Sequence, residues 1–425
     1  MVQIDDSLES RVSKTCPEPN RTLLFTAWAR DLAALKEALS DSEQSSAQDP
    51  ETGESLLHAA IRSCGPAENT TRVLSEGDIE EGCVEEAKEI VQELFFSGAI
   101  WNDVDSNNET PGCVALRLGR TSLYEMCVDA GVRAELLFAL MDGYEQLSSA
   151  PEEMEQDAPD AIDDPSDVVD GQPSFVADQF VPPDAGEKQV TSEEYLKSTV
   201  NYDGDKLLDA DLNGVMMAWE TDIMRQSVKA LLPDNQPGKR ILNIGFGMGI
   251  IDGMFAETNP ARHHIIEAHP GVLAHIAAGR TNFGSEWEKS GPEDGAFKVH
   301  AGRWQDIVPL LVEKGEVYDA IYFDTFGEDY AELRNFFTES IISLMDQQGR
   351  FSFFNGLGAD RQVCYDVYAK VVEMQCSEAG LDVQWEVSNV DMSALDKDGE
   401  GDWQGVRRRY WTLNKYRLPI CTFMG

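Results

Sequence analysis

The apolar segment 240–244 leads directly into a turn with three alternate glycines, Gly245, Gly247 and Gly249. Glycine has no Cβ atom, so the chain can turn sharply there and bring backbone N–H groups close to a ligand. An acidic residue, Glu267, ends the next apolar run about 20 residues later, where its carboxylate can accept hydrogen bonds from both hydroxyls of a ribose. This pattern predicts a strand, a ligand-binding turn and a helix that together hold a nucleoside cofactor.

The spacing of the glycines narrows the choice of cofactor. A dinucleotide-binding turn reads G-x-G-x-x-G and presents helix N–H groups to a pyrophosphate, but Ile250 stands where its third glycine would be. S-adenosylmethionine has no phosphate and fits this variant better. The predicted cofactor-binding loop consists of Gly245, Phe246, Gly247, Met248, Gly249 and Ile250.

Alternating helical patterns and short apolar runs after residue 191 predict an α/β fold with a doubly wound, Rossmann-like sheet. We expect the last two strands to follow one another without a helix and to form an antiparallel hairpin. The predicted strands are 240–244, 264–267, 297–300, 318–323, 350–354, 383–387 and 409–413.

Ligands of such a sheet bind beyond the carboxyl ends of its strands. The residues that follow the second, third and fourth predicted strands are therefore candidates for cofactor contacts. An indole can cover an adenine ring, a neighbouring polar group can meet its amine, and a carboxylate can lie beside the transferable methyl group. These candidates are Glu267, Ala268 and His269, then Trp304 and Gln305, and finally Asp324.

Residues 1–146 carry helical periodicity and predict an all-α domain that resembles ankyrin repeats. Partial copies of the opening motif of such a repeat stand at 53–60 and 109–115, with an insertion expected at 65–82. In this motif His58 is expected to bond to backbone and to have no catalytic role. The domain is interpreted either as a docking surface or as a packed helical cap without a partner.

Composition divides the rest of the chain and limits its partners. Acidic, Pro-rich residues 147–188 predict a disordered linker, interpreted as a solvated spacer or as an acidic binding segment, before a methyltransferase domain at 189–425. The net charge of −43 disfavours binding to nucleic acid or anionic membranes, and it indicates either a role in solubility or attraction of a basic substrate. Eight scattered cysteines, without a C-x-x-C pair, indicate a reducing cytoplasmic compartment, with the nucleus as an additional one, and no metal site.

The motifs of the C-terminal half resemble those of guanidinoacetate methyltransferase. With the helical N-terminal region and the acidic linker, the whole chain resembles the fungal type IV protein arginine methyltransferases, which methylate the δ-nitrogen of arginine. The motifs that carry this resemblance are Val-Met-Met-Ala-Trp-Glu-Thr at 215–221, Gly-Phe-Gly-Met-Gly-Ile at 245–250, Glu267, Trp304 with Asp306, and Tyr-Phe-Asp-Thr-Phe at 322–326.

The resemblance implies further site residues. Met216, Met224 and Tyr195 would contact the cofactor, with nearby Tyr202 as a competitor for the place of Tyr195. Glu220 and Asp324 would hold a guanidinium group. By themselves, the methionines would be interpreted as core residues and Glu220 as a solvated acid. The resemblance also implies a ribosomal protein as substrate, docked partly on the ankyrin-like domain.

Physical chemistry supports a paired-carboxylate site. A guanidinium group is a planar cation with several N–H donors, so two carboxylates can hold it and fix which nitrogen faces the methyl donor. Asp324 is the candidate general base and Glu220 the orienting partner. One alternative is methylation of a free guanidino acid, and a second is a scaffold protein with an inactive cofactor domain.

Overall fold

The computed structural model describes residues 4–39, 42–67, 82–148, 190–395, 401–407 and 409–425. Beyond Ser148, the predicted linker at 147–188 lies outside the described residues, as does most of the predicted insertion at 65–82. Within the described ranges, no helix is long and apolar enough to cross a membrane.

The N-terminal region is helical, as predicted. A 3-10 turn, Ser42–Ser46, lies between its third and fourth helices. Among its described residues, the helices are α1 (Leu8–Arg11), α2 (Glu18–Trp28), α3 (Leu32–Ala38), α4 (Leu56–Arg62), α5 (Gly82–Phe96), α6 (Pro111–Arg117) and α7 (Thr121–Ser148).

Local capping residues explain where the short helices α4 and α6 begin. Ser55 caps α4 by accepting from the N–H of His58, and Thr110 caps α6 by accepting from the N–H of Cys113 at 3.2 Å. The ring of His58 also contacts the backbone carbonyl of Glu109 at 2.9 Å, which confirms its predicted bond to backbone. These bonds satisfy N–H groups that have no partner inside a helix. Whether the region is an ankyrin array stays a prediction.

A buried ionic cluster fixes the N-terminal segment to these helices. The guanidinium of Arg62, whose side chain is fully buried, bonds to Glu54, to Asp105 at 2.6 Å and to Asp6 at 2.9 Å. Arg11 bonds to the same two buried carboxylates, Glu54 and Asp105. Burial raises the pKa of Glu54 to about 7, and the two arginines oppose that rise. The two arginines therefore compensate two carboxylates that are shielded from water.

The C-terminal half begins with a short helix, α8 (Ser192–Lys197), and a small antiparallel sheet of β1 (Asn201–Asp203), β2 (Lys206–Leu208) and β3 (Gly214–Met217). A 3-10 turn, Ala218–Glu220, then leads into α9 (Thr221–Leu231). Met216 and Met217 therefore lie at the end of β3, whereas Glu220 lies at the end of the 3-10 turn.

The main sheet has seven strands in the order β6-β5-β4-β7-β8-β10-β9. Strands β4 to β8 run parallel to one another, and β10 is antiparallel to both β8 and β9. This arrangement confirms the predicted doubly wound sheet and the antiparallel pairing of its last two strands. The strands are β4 (Arg240–Ile244), β5 (Arg262–Glu267), β6 (Phe297–Ala301), β7 (Tyr318–Phe323), β8 (Met345–Phe353), β9 (Leu381–Asn389) and β10 (Lys415–Phe423).

Helices cover both faces of this sheet. A π turn, Phe336–Ser340, joins the two helices that follow β7. The helices are α10 (Ile250–Glu257), α11 (Pro270–Ala277), α12 (Ser285–Lys289), α13 (Trp304–Glu313), α14 (Tyr330–Asn335), α15 (Ile341–Leu344), α16 (Gln362–Glu378) and α17 (Met392–Leu395).

The prediction of the last strand was wrong. Residues 409–413 do not form a strand, because Trp411 is fully buried among aromatic side chains and its indole N–H donates to the carbonyl of Leu413 at 2.5 Å. The strand that pairs with β9 is Lys415–Phe423. The expectation of a hairpin without a helix was also wrong, since α17 lies between β9 and β10.

Helix α16 joins the two halves of the chain. Its residues Val363 and Val367 belong to the same buried core as the N-terminal helices. A Cβ atom on Gly131 of α7 would lie 2.6 Å from a methyl group of Val367, so glycine permits this close approach. The hydroxyl of Tyr124 donates to Asp366 at 2.5 Å across the same contact. The N-terminal region therefore packs directly on a helix of the main sheet.

We expect Arg62→Met to lower the free energy of unfolding by about 3–5 kcal/mol, because it leaves Glu54 and Asp105 with a single arginine in a buried site. Urea titration followed by circular dichroism measures the change. Arg117→Met is the matched control, since Arg117 contacts Asp6 and Glu109 with its side chain 31% exposed. Equal losses in the two variants would contradict the assignment of the buried cluster as the stabilising one.

Candidate active site

The glycine loop after β4 brings two strand ends into contact. Gly245 has φ +94°, and a Cβ atom there would lie 1.8 Å from the backbone oxygen of Asp324, at the end of β7. Gly247 has φ +56°, and its Cβ would lie 2.8 Å from the sulfur of Met216. Side chains at these positions would separate the loop from β7 and from β3. The glycines therefore place the loop backbone directly beside the Asp324 backbone.

Glu267, at the end of β5, organises the same loop. One oxygen of its carboxylate accepts from the N–H of Phe246 at 2.9 Å and of Gly247 at 3.4 Å, and the other accepts from the N–H of His269 at 2.6 Å. Burial raises the pKa of Glu267, and these backbone donors oppose the rise. The side chain is thus held in a fixed orientation at the edge of the sheet.

A first cavity of about 620 Å³ opens at the carboxyl ends of β4, β5 and β7. Half of the predicted cofactor-binding residues line it, namely Tyr195, Met216, Gly245, Gly247, Glu267, Ala268, Trp304 and Asp324.

The other predicted cofactor residues do not line this cavity. The hydroxyl of Tyr202 donates to the carbonyl of Gly247 at 3.0 Å, and Met224 and Phe246 are buried in the core beneath the loop. Tyr195, rather than its competitor Tyr202, therefore faces the cavity. The remaining predicted residues that do not line the cavity are Met248, Gly249, Ile250, His269 and Gln305.

Helix α8 covers one side of the first cavity. The ring of Tyr195 lies 4.5 Å from the ring of His269 and 4.9 Å from that of Phe326, measured between centroids. A nitrogen of the His269 ring contacts the carbonyl of Tyr195 at 3.1 Å. His269 thus positions the helix that carries Tyr195, although it does not line the cavity itself.

Glu328 is a site residue that the sequence analysis did not identify. Its carboxylate accepts from the indole N–H of Trp304 at 3.0 Å, from the amide of Gln305 at 3.2 Å and from the hydroxyl of Thr325 at 2.8 Å. Burial raises its pKa, and these donors oppose the rise. Its position four residues after Asp324 is the feature of the sequence that could have identified it as a site residue. Glu328 fixes the orientation of Trp304 at the first cavity.

A second cavity, of about 830 Å³, adjoins the first one. Both predicted catalytic residues, Glu220 and Asp324, line it. The two cavities have in common the residues Val215, Asp324, Thr325, Phe326 and Glu328.

Glu220 is a buried acid with a fixed orientation, being only 2% exposed. The N–H of Met217 donates to its Oε1 atom at 3.1 Å, and the hydroxyl of Tyr410 donates to the same atom. Tyr410 in turn accepts from the indole N–H of Trp219 at 3.2 Å. Tyr410 is a second site residue that the sequence analysis missed, because it lies in the segment wrongly predicted as a strand.

The electrostatics of the two acids are coupled. Burial, together with the negative charge of Asp324, raises the pKa of Glu220 to about 8, although the bonds from Tyr410 and Met217 oppose the rise. Burial also raises the pKa of Asp324, to about 7. The Oδ2 atom of Asp324 is buried and has no hydrogen-bond partner among the described residues. This pair is therefore suited to a cationic ligand that donates several hydrogen bonds.

The chain is similar in sequence to known methyltransferases. Residues 185–394 match the family model of guanidinoacetate N-methyltransferase. The chain is 65% identical to protein arginine N-methyltransferase 2 of Gibberella zeae, over 97% of this chain and 94% of that protein. It is 57% identical to the protein of the same name from Neurospora crassa, over 99% of each.

A more distant relative, protein arginine N-methyltransferase 2 of Saccharomyces cerevisiae, is 36% identical over 81% of this chain and 80% of that protein. The first two relatives match nearly the whole length of this chain, so the similarity extends well beyond a shared cofactor domain. The chain belongs to the fungal protein arginine N-methyltransferase family.

Proposed function

We propose that this protein transfers one methyl group from S-adenosylmethionine to the δ-nitrogen of an arginine residue in a protein substrate. The observation that carries the proposal is a pair of carboxylates, the buried Glu220 and Asp324 with its buried Oδ2 atom, in a cavity that adjoins the predicted cofactor cavity. The names of the related fungal proteins support arginine as the acceptor.

The residues of the first cavity fit S-adenosylmethionine. Glu267 lies at a strand end, where a carboxylate can accept the ribose hydroxyls. Trp304 offers an aromatic surface for the adenine, and the glycine loop lets the ligand approach the backbone. When bound, the cofactor supplies an electrophilic methyl group on a sulfonium. The shared lining residue Asp324 would then lie at the boundary between donor and acceptor.

The second cavity supplies the arginine clamp. The guanidinium keeps its charge at any physiological pH and presents planar N–H donors. Glu220, held by Tyr410 and Met217, accepts from one edge of this plane, and the free Oδ2 of Asp324 accepts from another. Fixing the plane fixes which nitrogen faces the methyl group, and proximity in a set orientation accounts for much of the rate.

Asp324 is our candidate for the general base. When one guanidinium nitrogen attacks, its lone pair leaves the delocalised system and its proton becomes acidic. Asp324 accepts that proton, and its raised pKa brings it closer to that of the developing acid. Glu220 keeps its orienting role, because its Oε1 atom is already committed to Tyr410 and Met217.

Regiochemistry supports the δ-nitrogen as the acceptor. Guanidinoacetate carries its carbon substituent on one nitrogen, and the equivalent nitrogen of an arginine side chain is δ. The match to the guanidinoacetate N-methyltransferase family covers Glu220 and Asp324. A clamp of the same geometry would present the same nitrogen in a longer side chain.

The N-terminal region is proposed to be an ankyrin-like domain that docks a basic, ribosomal protein. The net charge of −43 would attract such a substrate over long range. A groove beside α5 and α7 is lined by Phe96 and Phe138, which are 82% and 59% exposed. Exposed apolar surface of this kind is typical of interaction sites. Action in the cytoplasm, with the nucleus as a further compartment, is part of this proposal.

The match to guanidinoacetate N-methyltransferase supports one alternative, a free guanidino acid as the acceptor. The contact between α7 and α16 favours a protein substrate, because it holds the N-terminal region at a fixed place beside the methyltransferase fold.

We expect the enzyme, incubated with labelled S-adenosylmethionine and protein from a strain that lacks its gene, to produce δ-N-methylarginine. Mass spectrometry of the acid hydrolysate separates this product from the ω-methylated isomers. Guanidinoacetate serves as the competing acceptor in a parallel reaction. A product confined to ω-methylarginine, or turnover of guanidinoacetate alone, would refute the proposed function.

We expect Asp324→Asn and Glu220→Gln each to reduce kcat/KM by about 100-fold or more, because each removes one charge from the clamp. Thermal unfolding at pH 8 should show equal or higher stability, since each change removes a buried carboxylate. Calorimetry with S-adenosylhomocysteine should show cofactor affinity within a few-fold of that of the parent. Near-normal turnover by Asp324→Asn would exclude it as the base.

We expect kcat/KM for the protein substrate to fall as the pH drops below about 8 and then about 7, the pKa values to which Glu220 and Asp324 are raised. The sign follows because protonation neutralises the acids that bind the cation. Stability of the ligand-free enzyme should change in the opposite sense, since the folded state binds more protons than the unfolded state up to these pKa values. A flat profile between pH 6 and 9, the range that brackets these values, would contradict this assignment.

A further inference from the structure

The second cavity carries more negative charge than one guanidinium requires. Four carboxylates line it, and no lysine, arginine or histidine appears among its described lining residues. Glu220 and Asp324 suffice for the clamp proposed above. The other two acids, Glu328 and Asp329, lie at the end of the segment that leads from β7 into α14.

Glu328 is held in place by groups outside the clamp. Its bonds to Trp304, Gln305 and Thr325 fix the carboxylate where it borders both cavities. Hydrogen bonds of this kind favour the ionised form, and they keep the charge from turning away towards solvent. Glu328 therefore presents a fixed negative charge to any ligand that enters the second cavity.

Asp329 adds a second negative charge at the edge of the second cavity, which it lines. The residue is exposed, and its carboxylate caps α14 by accepting from the N–H of Glu332 at 3.3 Å. This bond holds the carboxylate at the cavity edge.

This surplus distinguishes two classes of guanidinium compound. A free guanidino acid such as guanidinoacetate bears its own carboxylate one carbon atom from the guanidinium, so both groups would lie inside the cavity. An arginine residue within a protein has a neutral peptide backbone at a greater distance. A ligand carboxylate placed near Glu328 and Asp329 would meet like charges without a compensating cation, which is an effective form of discrimination.

We infer that Glu328 and Asp329 are specificity-determining residues that exclude guanidino acids and reserve the cavity for arginine in a peptide chain. This inference rests on the proposed function, since it assumes that the second cavity holds the guanidinium group. It assigns the rejection of small acids to charge at the cavity rather than to the N-terminal docking region.

The matched probes for this inference are guanidinoacetate and guanidinoacetamide, which have nearly the same size and differ in the charge of one end. Calorimetry measures the Kd of each for the full-length enzyme saturated with S-adenosylhomocysteine at pH 8. We expect the acid to bind at least about tenfold more weakly than the amide, since like charges in a partly desolvated site repel strongly. Equal affinities, or no binding of the amide, would overturn the inference.

Two variants test the residues themselves. Glu328→Gln and Asp329→Asn should each reduce the ratio of the two Kd values several-fold. Glu313→Gln is the control, because it removes the same charge from an exposed site at the end of α13 that lines neither cavity, and its ratio should equal that of the parent. An unchanged ratio in both test variants would assign the discrimination to other groups.

Glu328 also positions Trp304, so a structural role must be separated from an electrostatic one. Affinity for S-adenosylhomocysteine reports on that role, and we expect Glu328→Gln to keep it within a few-fold of the parent value. If both probes and the cofactor weaken together in Glu328→Gln, and Asp329→Asn leaves the ratio unchanged, the inference fails.

The parent enzyme's activity separates failure of the inference from failure of the proposed function. Formation of δ-N-methylarginine in protein together with equal affinities for the two probes would remove the inference alone. Turnover of guanidinoacetate without methylation of protein would remove both.

Discussion

The enclosure of two like charges, Glu220 and Asp324, in one partly dry cavity is the constraint on which the site depends. Two neighbouring carboxylates shielded from water cannot both ionise easily, so the ligand-free enzyme holds protons there at neutral pH. A guanidinium group reverses this state, because it supplies the charge and the donors that the pair lacks. The empty site therefore carries an electrostatic cost. A bound planar cation would remove this cost, which would favour such a ligand over others.

The surrounding fold keeps this unfavourable arrangement in place. Asp324 follows a parallel strand in the middle of the sheet, and Glu220 ends a 3-10 turn and accepts from the backbone N–H of Met217 at the end of β3. Tyr410 donates to the same oxygen of Glu220 and belongs to an aromatic cluster that includes Trp219 and Trp403. This packing fixes the side chain that orients Glu220. The residues that hold the clamp thus come from segments almost 200 positions apart, since Tyr410 and Glu220 are separated by 190 residues.

The cofactor side of the site could be predicted from sequence, whereas the acceptor side could be predicted only in part. Strand ends meet at one edge of a parallel sheet, so Glu267, Trp304 and Asp324 were identifiable from their positions alone. The burial of Glu220 was not, because its donors come from the end of β3 and from a distant segment. The last strand contains Pro419, and a proline usually argues against a central strand, so its sequence pattern is a weak signal. The misplacement also concealed Tyr410.

In the proposed mechanism, two pairs of acids in the second cavity have different roles in recognition. Glu220 and Asp324 attract the substrate, and Glu328 and Asp329 repel other compounds. Attraction by Glu220 and Asp324 applies to any guanidinium group and so cannot separate arginine in a protein from a small guanidino acid. Repulsion by further acids can make that separation, because only the small compound brings a carboxylate into the cavity. Under the proposed function, charge added beside Glu220 and Asp324 would separate the two classes of substrate without altering the proposed clamp.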